Sequence, residues 1–231
     1  MQRHRLDLLL VFVKICGVTN EADALLCVAM GADAIGFNFV NGSVRQIAPQ
    51  RAGDIAKRLP PEVLTVGIFR NHAPKTVVEI VNRQGLGAAQ LHGNESTEDT
   101  HWVSEQVPRT MKCFVAGSET ARKARDWGTN PILVDAPKPG SGEPYDYRLA
   151  RQVPSGLAVV LAGGLNPDNV EEAILTARPW GVDVASGVES APGQKDPKLV
   201  AEFVRIAKGV TLPDSEPRNE GPYDWDADAA L

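Results

Sequence analysis

Two side chains have the chemistry of a proton-transfer pair and stand where strands would end. Cys16 closes the run Val-Phe-Val-Lys-Ile-Cys16, and Asp135 closes Ile-Leu-Val-Asp135. A carboxylate at the end of an apolar run is costly to desolvate if it does nothing, which marks Asp135 as a candidate general acid. A lone thiol is ambiguous, because most cysteines are buried fillers. Cys27 and Cys113 read as structural, one on a helix face and one inside a strand. Two glycine groups come late in the chain, Ala162-Gly163-Gly164-Leu165 and Ser186-Gly187-Val188-Glu189. Glycine lets the backbone approach a ligand closely, and N–H groups at a helix start point at an anion. Gly163, Gly164, Ser186 and Gly187 therefore read together as a phosphate site. The remaining polar candidates are Arg45, the pair Asn71-His72, and His92 with Gly93 and Glu95. The two histidines are equally consistent with capping helices or binding backbone.

What would position these groups is an alternation of short β-branched runs with longer amphipathic stretches. Strands are expected at 11–16, 34–40, 64–69, 88–91, 110–115, 132–135, 158–162 and 182–185. Helices are expected at 21–30, 49–59, 74–83, 97–106, 118–127, 167–177 and 197–208, with a weaker one near 145–152. Asn20, Ser96 and prolines at 49, 74, 167 and 197 supply start signals, and Gly31, Gly85 and Gly181 precede strands as helix-ending glycines should. Eight such units predict a (β/α)₈ TIM barrel of the smallest class. A doubly wound open sheet is the alternative, but it would show a Gly-x-Gly-x-x-Gly turn after the first strand, and none is present. In a barrel the working groups gather at the C-terminal strand ends, with phosphate at loops seven and eight. That rule sets Cys16 and Asp135 facing each other across one mouth.

Composition limits the alternatives. The chain has 231 residues, 43% hydrophobic and only 6% aromatic, so its core must be aliphatic, as barrel interiors are. Of the net charge of −5, all resides in the last twenty residues, where Asp214, Glu216, Glu220, Asp224, Asp226 and Asp228 face only Arg218. The balanced remainder offers no basic surface for nucleic acid, and no stretch approaches the length of a membrane helix. Three cysteines at spacings that match no zinc pattern fit a reducing cytoplasm. Residues 1–10 read as an extension, since Asp7 interrupts the apolar run and no cleavage site precedes Lys14. Residues 11–208 form the catalytic domain, and 209–231 an acidic, disordered tail.

Seven motifs converge on one family. Lys14-Ile-Cys-Gly-Val-Thr19, Gly31-Ala-Asp-Ala-Ile-Gly-Phe37, Ser43-Val-Arg45, Val66-Gly-Ile-Phe69, Gln90-Leu-His-Gly93, Leu161-Ala-Gly-Gly-Leu165 and Gly181-Val-Asp-Val-Ala-Ser-Gly-Val-Glu-Ser190 resemble phosphoribosylanthranilate isomerase, in order and at the right spacing. The resemblance implies an Amadori rearrangement in tryptophan biosynthesis, with Asp135 as acid, Cys16 as thiolate base, and Arg45 and His92 binding substrate. It implies no metal or redox cofactor, a small phosphorylated substrate as partner, and a monomer or homodimer. The alternative enzyme, an aminoimidazole-carboxamide ribotide isomerase or a related bifunctional barrel, would use two aspartates at the ends of strands one and five, where this chain has Cys16 and Val115. A binding-only barrel would be expected to lose Cys16 or Asp135. The chain departs from the family's usual wording after strand six, where Pro139-Gly-Ser-Gly-Glu143 puts an acid in a commonly basic position.

Overall fold

A computed structural model of the chain describes residues 11–138, 140 and 142–212. The proposed extension at 1–10 and nearly all of the acidic tail lie outside these residues. Eight parallel strands close into a barrel: β1 (Phe12–Cys16), β2 (Ala34–Asn38), β3 (Leu64–Phe69), β4 (Ala88–Leu91), β5 (Thr110–Val115), β6 (Ile132–Asp135), β7 (Val159–Leu161) and β8 (Gly181–Val184). β8 pairs with β1, Asp183 standing opposite Lys14, and so completes the ring. No helix among the described residues is long and apolar enough to cross a membrane.

Side chains alternate between two layers because the strand period is two. Val13, Ile15, Ile35, Phe37, Leu91, Ile132, Val134, Leu161 and Val182 point outward and pack beneath the helices. Phe12, Ala34, Leu64, Val66 and Ala88, and separately Met111, Cys113, Leu133 and Val160, point inward and close the lower half of the barrel around Trp180. Phe12 and Trp180 stack with ring centroids 4.5 Å apart. Above this apolar plug the inward positions become polar.

The helices follow the expected start signals. α1 (Glu21–Ala29) is capped by Asn20, α4 (Thr97–Ser104) by Ser96, and α7 (Pro197–Gly209) by Asp196; α2 (Pro49–Ala56), α3 (Pro74–Gln84) and α7 all begin with proline. Four expectations need correction. The helix expected at 118–127 is one α-turn, α5 (Glu119–Arg122), followed by a 3₁₀ turn (Ala124–Trp127). The segment near 145–152 is a 3₁₀ turn (Tyr147–Arg151), started by Asp146 accepting from the Arg148 N–H. Finally, α6 (Val170–Ala177) starts three residues later than Pro167, because Asn166 and Asn169 hold residues 166–169 in a turn by hydrogen bonds of their own. The left-handed residue after α6 is Arg178 (φ 50°), not Gly181, which lies inside β8. A hairpin of β9 (Glu189–Ala191) and β10 (Gln194–Lys195), absent from the expected elements, precedes α7.

Candidate active site

Cys16 ends β1 on the inward side, half-buried, two residues above Lys14. Lys14 has no exposed surface, and its ammonium donates to Asp183 Oδ1 at 2.8 Å. Burial works against the charge on Lys14, but Asp183 and Cys16 outweigh it and hold its pKa above the ordinary value. A second buried lysine, Lys195 on the hairpin, donates to the carbonyls of Cys16 (2.8 Å) and Ala185 (3.0 Å) and to Glu189 Oε1 (3.0 Å). Glu189 also receives Arg45 through two bonds, from Nε at 2.8 Å and Nη2 at 2.7 Å. The hairpin therefore straps loop two to the top of β1. Burial pushes the Cys16 thiol up; Lys14 draws it back most, Asp183 adds to the rise, and Lys195 and His92 oppose it. The thiol form is favoured at neutral pH, and its three cationic neighbours are what make a thiolate accessible.

Asp135 ends β6 and is 6% exposed. Its Oδ1 accepts the Ala136 N–H at 2.8 Å, and its Oδ2 lies 3.2 Å from His92 Nε2. The same Nε2 is 3.5 Å from Cys113 Sγ, and Gln90 Nε2 is 2.8 Å from His92 Nδ1. Burial disfavours a charged His92, yet Cys113 and the bond to Asp135 prevail and hold its pKa well above the ordinary value. Gln90 is 1% exposed and its Oε1 has no hydrogen-bond partner. A primary amide can meet the imidazole with either end: its nitrogen suits a bare Nδ1, its oxygen suits Nδ1–H. Gln90 thus accommodates both charge states of the ring.

The phosphate candidates come together as loops six, seven and eight close on one another. Gly163 (φ 96°) and Gly164 (φ 65°) take backbone shapes that favour glycine. A Cβ on Gly163 would stand 2.7 Å from Ala136 Cβ and 2.9 Å from Asp135 Oδ1; one on Gly164 would strike the Glu143 carbonyl; one on Gly187 would strike the Leu165 carbonyl. Asn169 Nδ2 donates to Gly164 O at 2.8 Å, and the Tyr147 hydroxyl to Gly163 O at 3.3 Å, so both carbonyls are engaged. The N–H groups of Gly163 and Gly164 meet no acceptor among the described residues. The glycines do not feed straight into a helix, since the 166–169 turn intervenes.

Six of the eight sequence-derived site residues thus converge on two adjoining areas: Asp135 and His92, and the four loop residues. Cys16 and Arg45 form the third, across β1 and β8. His72 does not join them; its ring packs edge-on against Phe69, and its Nδ1 accepts the Arg70 N–H at 3.2 Å. Cys113, read as a structural thiol, occupies an inward position of β5 within an apolar cluster, with its Sγ 3.5 Å from His92 Nε2. Lys14, Asp183, Lys195, Glu189 and Gln90 were missed. A signal for most of them existed: each is a single polar residue inside an otherwise apolar strand, as in Phe-Val-Lys-Ile-Cys or Gly-Val-Asp-Val.

Comparisons with known proteins point to one family. Residues 13–206 match the family model of N-(5′-phosphoribosyl)anthranilate (PRA) isomerase. The N-(5′-phosphoribosyl)anthranilate isomerase of Thermotoga neapolitana is 41% identical over 205 residues, covering 87% of this chain and all of the relative. The crystal structure of phosphoribosyl anthranilate isomerase from Thermus thermophilus superposes with a TM-score of 0.80 at 39% identity, over 85% of this chain and 98% of that one. A phosphoribosyl anthranilate isomerase solved in complex with reduced 1-(o-carboxyphenylamino)-1-deoxyribulose 5-phosphate gives a TM-score of 0.77 at 39% identity, over 87% and 100%. By sequence and fold, the chain belongs to the N-(5′-phosphoribosyl)anthranilate isomerase family.

Proposed function

We propose that the protein rearranges N-(5′-phosphoribosyl)anthranilate to 1-(2-carboxyphenylamino)-1-deoxyribulose 5-phosphate in cytoplasmic tryptophan biosynthesis, with Asp135 as general acid and Cys16 as general base. The observation that carries this assignment is the placement of two proton-transfer groups on inward strand ends of one barrel mouth, the thiol backed by Lys14, Lys195 and Arg45. Asp135 protonates the furanose ring oxygen while the anilino nitrogen's lone pair breaks the C1′–O bond, giving an open-chain iminium. Cys16 thiolate then takes the proton from C2′; that C–H electron pair forms C1′=C2′ and the nitrogen regains its lone pair. The enolamine tautomerises to the ketone. The substrate's own nitrogen supplies the electronic push, so the reaction as written calls for no cofactor.

The substrate phosphate is assigned to the N–H groups of Gly163 and Gly164 together with Ser186 and Gly187. Arg45, held along Nε and Nη2 by Glu189, presents its Nη1 to the anthranilate carboxylate. His92 lies against Asp135, where it can contact the ring hydroxyls and orient the acid. The test follows the loss of anthranilate-type fluorescence when substrate is generated in place from anthranilate and phosphoribosyl pyrophosphate. Cys16→Ser and Asp135→Asn are each expected to lower kcat by more than about 10²-fold with folding intact. Near-full turnover in both variants would refute the acid–base assignment.

A further inference from the structure

Three different donor types meet beside the proposed acid. His92 Nε2, Cys113 Sγ and an Asp135 carboxylate oxygen all lie within 4.8 Å of one another. Nitrogen, sulfur and carboxylate ligands at zinc distances, arranged tetrahedrally, stand about 3.3 to 3.6 Å apart. Here the nitrogen–oxygen edge is 3.2 Å and the nitrogen–sulfur edge is 3.5 Å. Two edges of the coordination polyhedron are therefore already set, and each donor comes from a different strand or strand end (β4, β5 and β6) of a rigid barrel.

Gln90 is an independent sign. A metal-bound imidazole donates its other ring N–H to a carbonyl or carboxylate, and that partner fixes the ring. Gln90 is buried against His92 Nδ1, and its amide oxygen is the one atom of the group left without a partner. Turning the amide over puts that oxygen on Nδ1–H.

We propose that His92, Cys113 and Asp135 bind a thiophilic divalent cation of the zinc class, with Gln90 holding His92 in place and the fourth position open to the barrel mouth. Binding releases the thiol proton of Cys113, and that of His92 Nε2, to solvent. It also engages the carboxylate of Asp135, so a bound cation blocks the isomerisation and a chelator restores it. Only this inhibition depends on the catalytic reading above; binding does not.

The experiment titrates the full-length protein with Co²⁺ and then displaces it with Zn²⁺. One equivalent per chain is expected, with the intense visible bands of four-coordinate cobalt and a thiolate-to-metal charge-transfer band. Cys113→Ser should abolish the charge-transfer band, Cys27→Ser should keep it, and Gln90→Leu should weaken Zn²⁺ binding by about tenfold or more. His92→Gln retains all three cysteines and should weaken binding likewise, which guards against a Cys113 variant that does not fold. No saturable binding by the wild type, or a band that survives Cys113→Ser and disappears in Cys16→Ser, would overturn the site. If the metal binds as described but Zn²⁺ leaves turnover untouched, the site stands and the role of Asp135 falls.

Discussion

The two sides of the barrel mouth solve different electrostatic problems. Around Cys16 the bonded charges are permanent, Lys14, Lys195 and Arg45 against Asp183 and Glu189 through bonds of 2.7 to 3.0 Å, and His92 adds a more distant cation. Around Asp135 the inward neighbours are an imidazole, whose pKa stands well above its ordinary value, and a thiol. The fixed ion pair on that side, Lys112 with Glu95 at 3.1 Å, lies on the outward face of β5, away from the acid. A base that burial pushes toward its neutral form needs standing cations, whereas a general acid is served by a hydrogen-bonding partner that orients it.

The contrast can be broken most forcefully at Lys14. Lys14→Met strands Asp183, for which no second side-chain partner is present among the described bonds, and should cost about 4 to 5 kcal/mol of stability in a denaturant titration. In whatever fraction folds, the limb of the kcat/KM profile that reports the Cys16 thiol should move to higher pH, because its strongest cation has gone. Asp183→Asn should move the same limb to lower pH, since Asp183 raises the thiol. Movement of both variants in one direction would mean that distorted packing, not charge, governs the base. Next in size is Lys112→Met on the other side. It also removes a buried cation, but Glu95 keeps the N–H groups of Asn71 and Gly93, so about 3 kcal/mol is expected. No shift of the pH–rate profile should accompany it; a shift would join this outer pair to the chemistry. The smallest change in stability, about 1 kcal/mol, belongs to Arg45→Gln, whose guanidinium is only partly buried and whose partner Glu189 retains Lys195. Its signature is kinetic, a KM raised about tenfold with kcat nearly kept, as loss of a ground-state substrate contact requires.

The same two sides differ in how far they could be read in advance. Asp135 and the paired glycines announce themselves locally, by a charge at the end of an apolar run and by chain order within the last third of the barrel. Cys16 is placed by the strand rule but not explained by it. The groups that set its chemistry, Asp183, Glu189 and Lys195, are more than 160 residues away along the chain, and no periodicity connects them to it. The inward placement of Cys113 is illegible for a related reason: a cysteine within a strand looks the same whether it faces helix or lumen, and only the register of β5 against its neighbours decides. The segment after β6 failed through turn chemistry, since Asp146 accepts from the N–H two residues on and tightens the backbone into a 3₁₀ turn. The strands themselves were read nearly to the residue because apolar, β-branched runs with nowhere else to go are a strong signal.

Closure of the ring by β1 and β8 has a consequence for how the molecule is made. Lys14 is among the first barrel residues to leave the ribosome, and its counter-ion follows 169 positions later. Until then the ammonium must stay in water, so β1 cannot settle into the interior of any partial sheet without burying an unpaired charge. A nascent chain can assemble its middle strands early, but its first strand is held in reserve for its last. The seam that sets the reactivity of the thiol is thereby also the final stitch of synthesis, and a truncated chain lacking β8 carries no pre-set base to misuse.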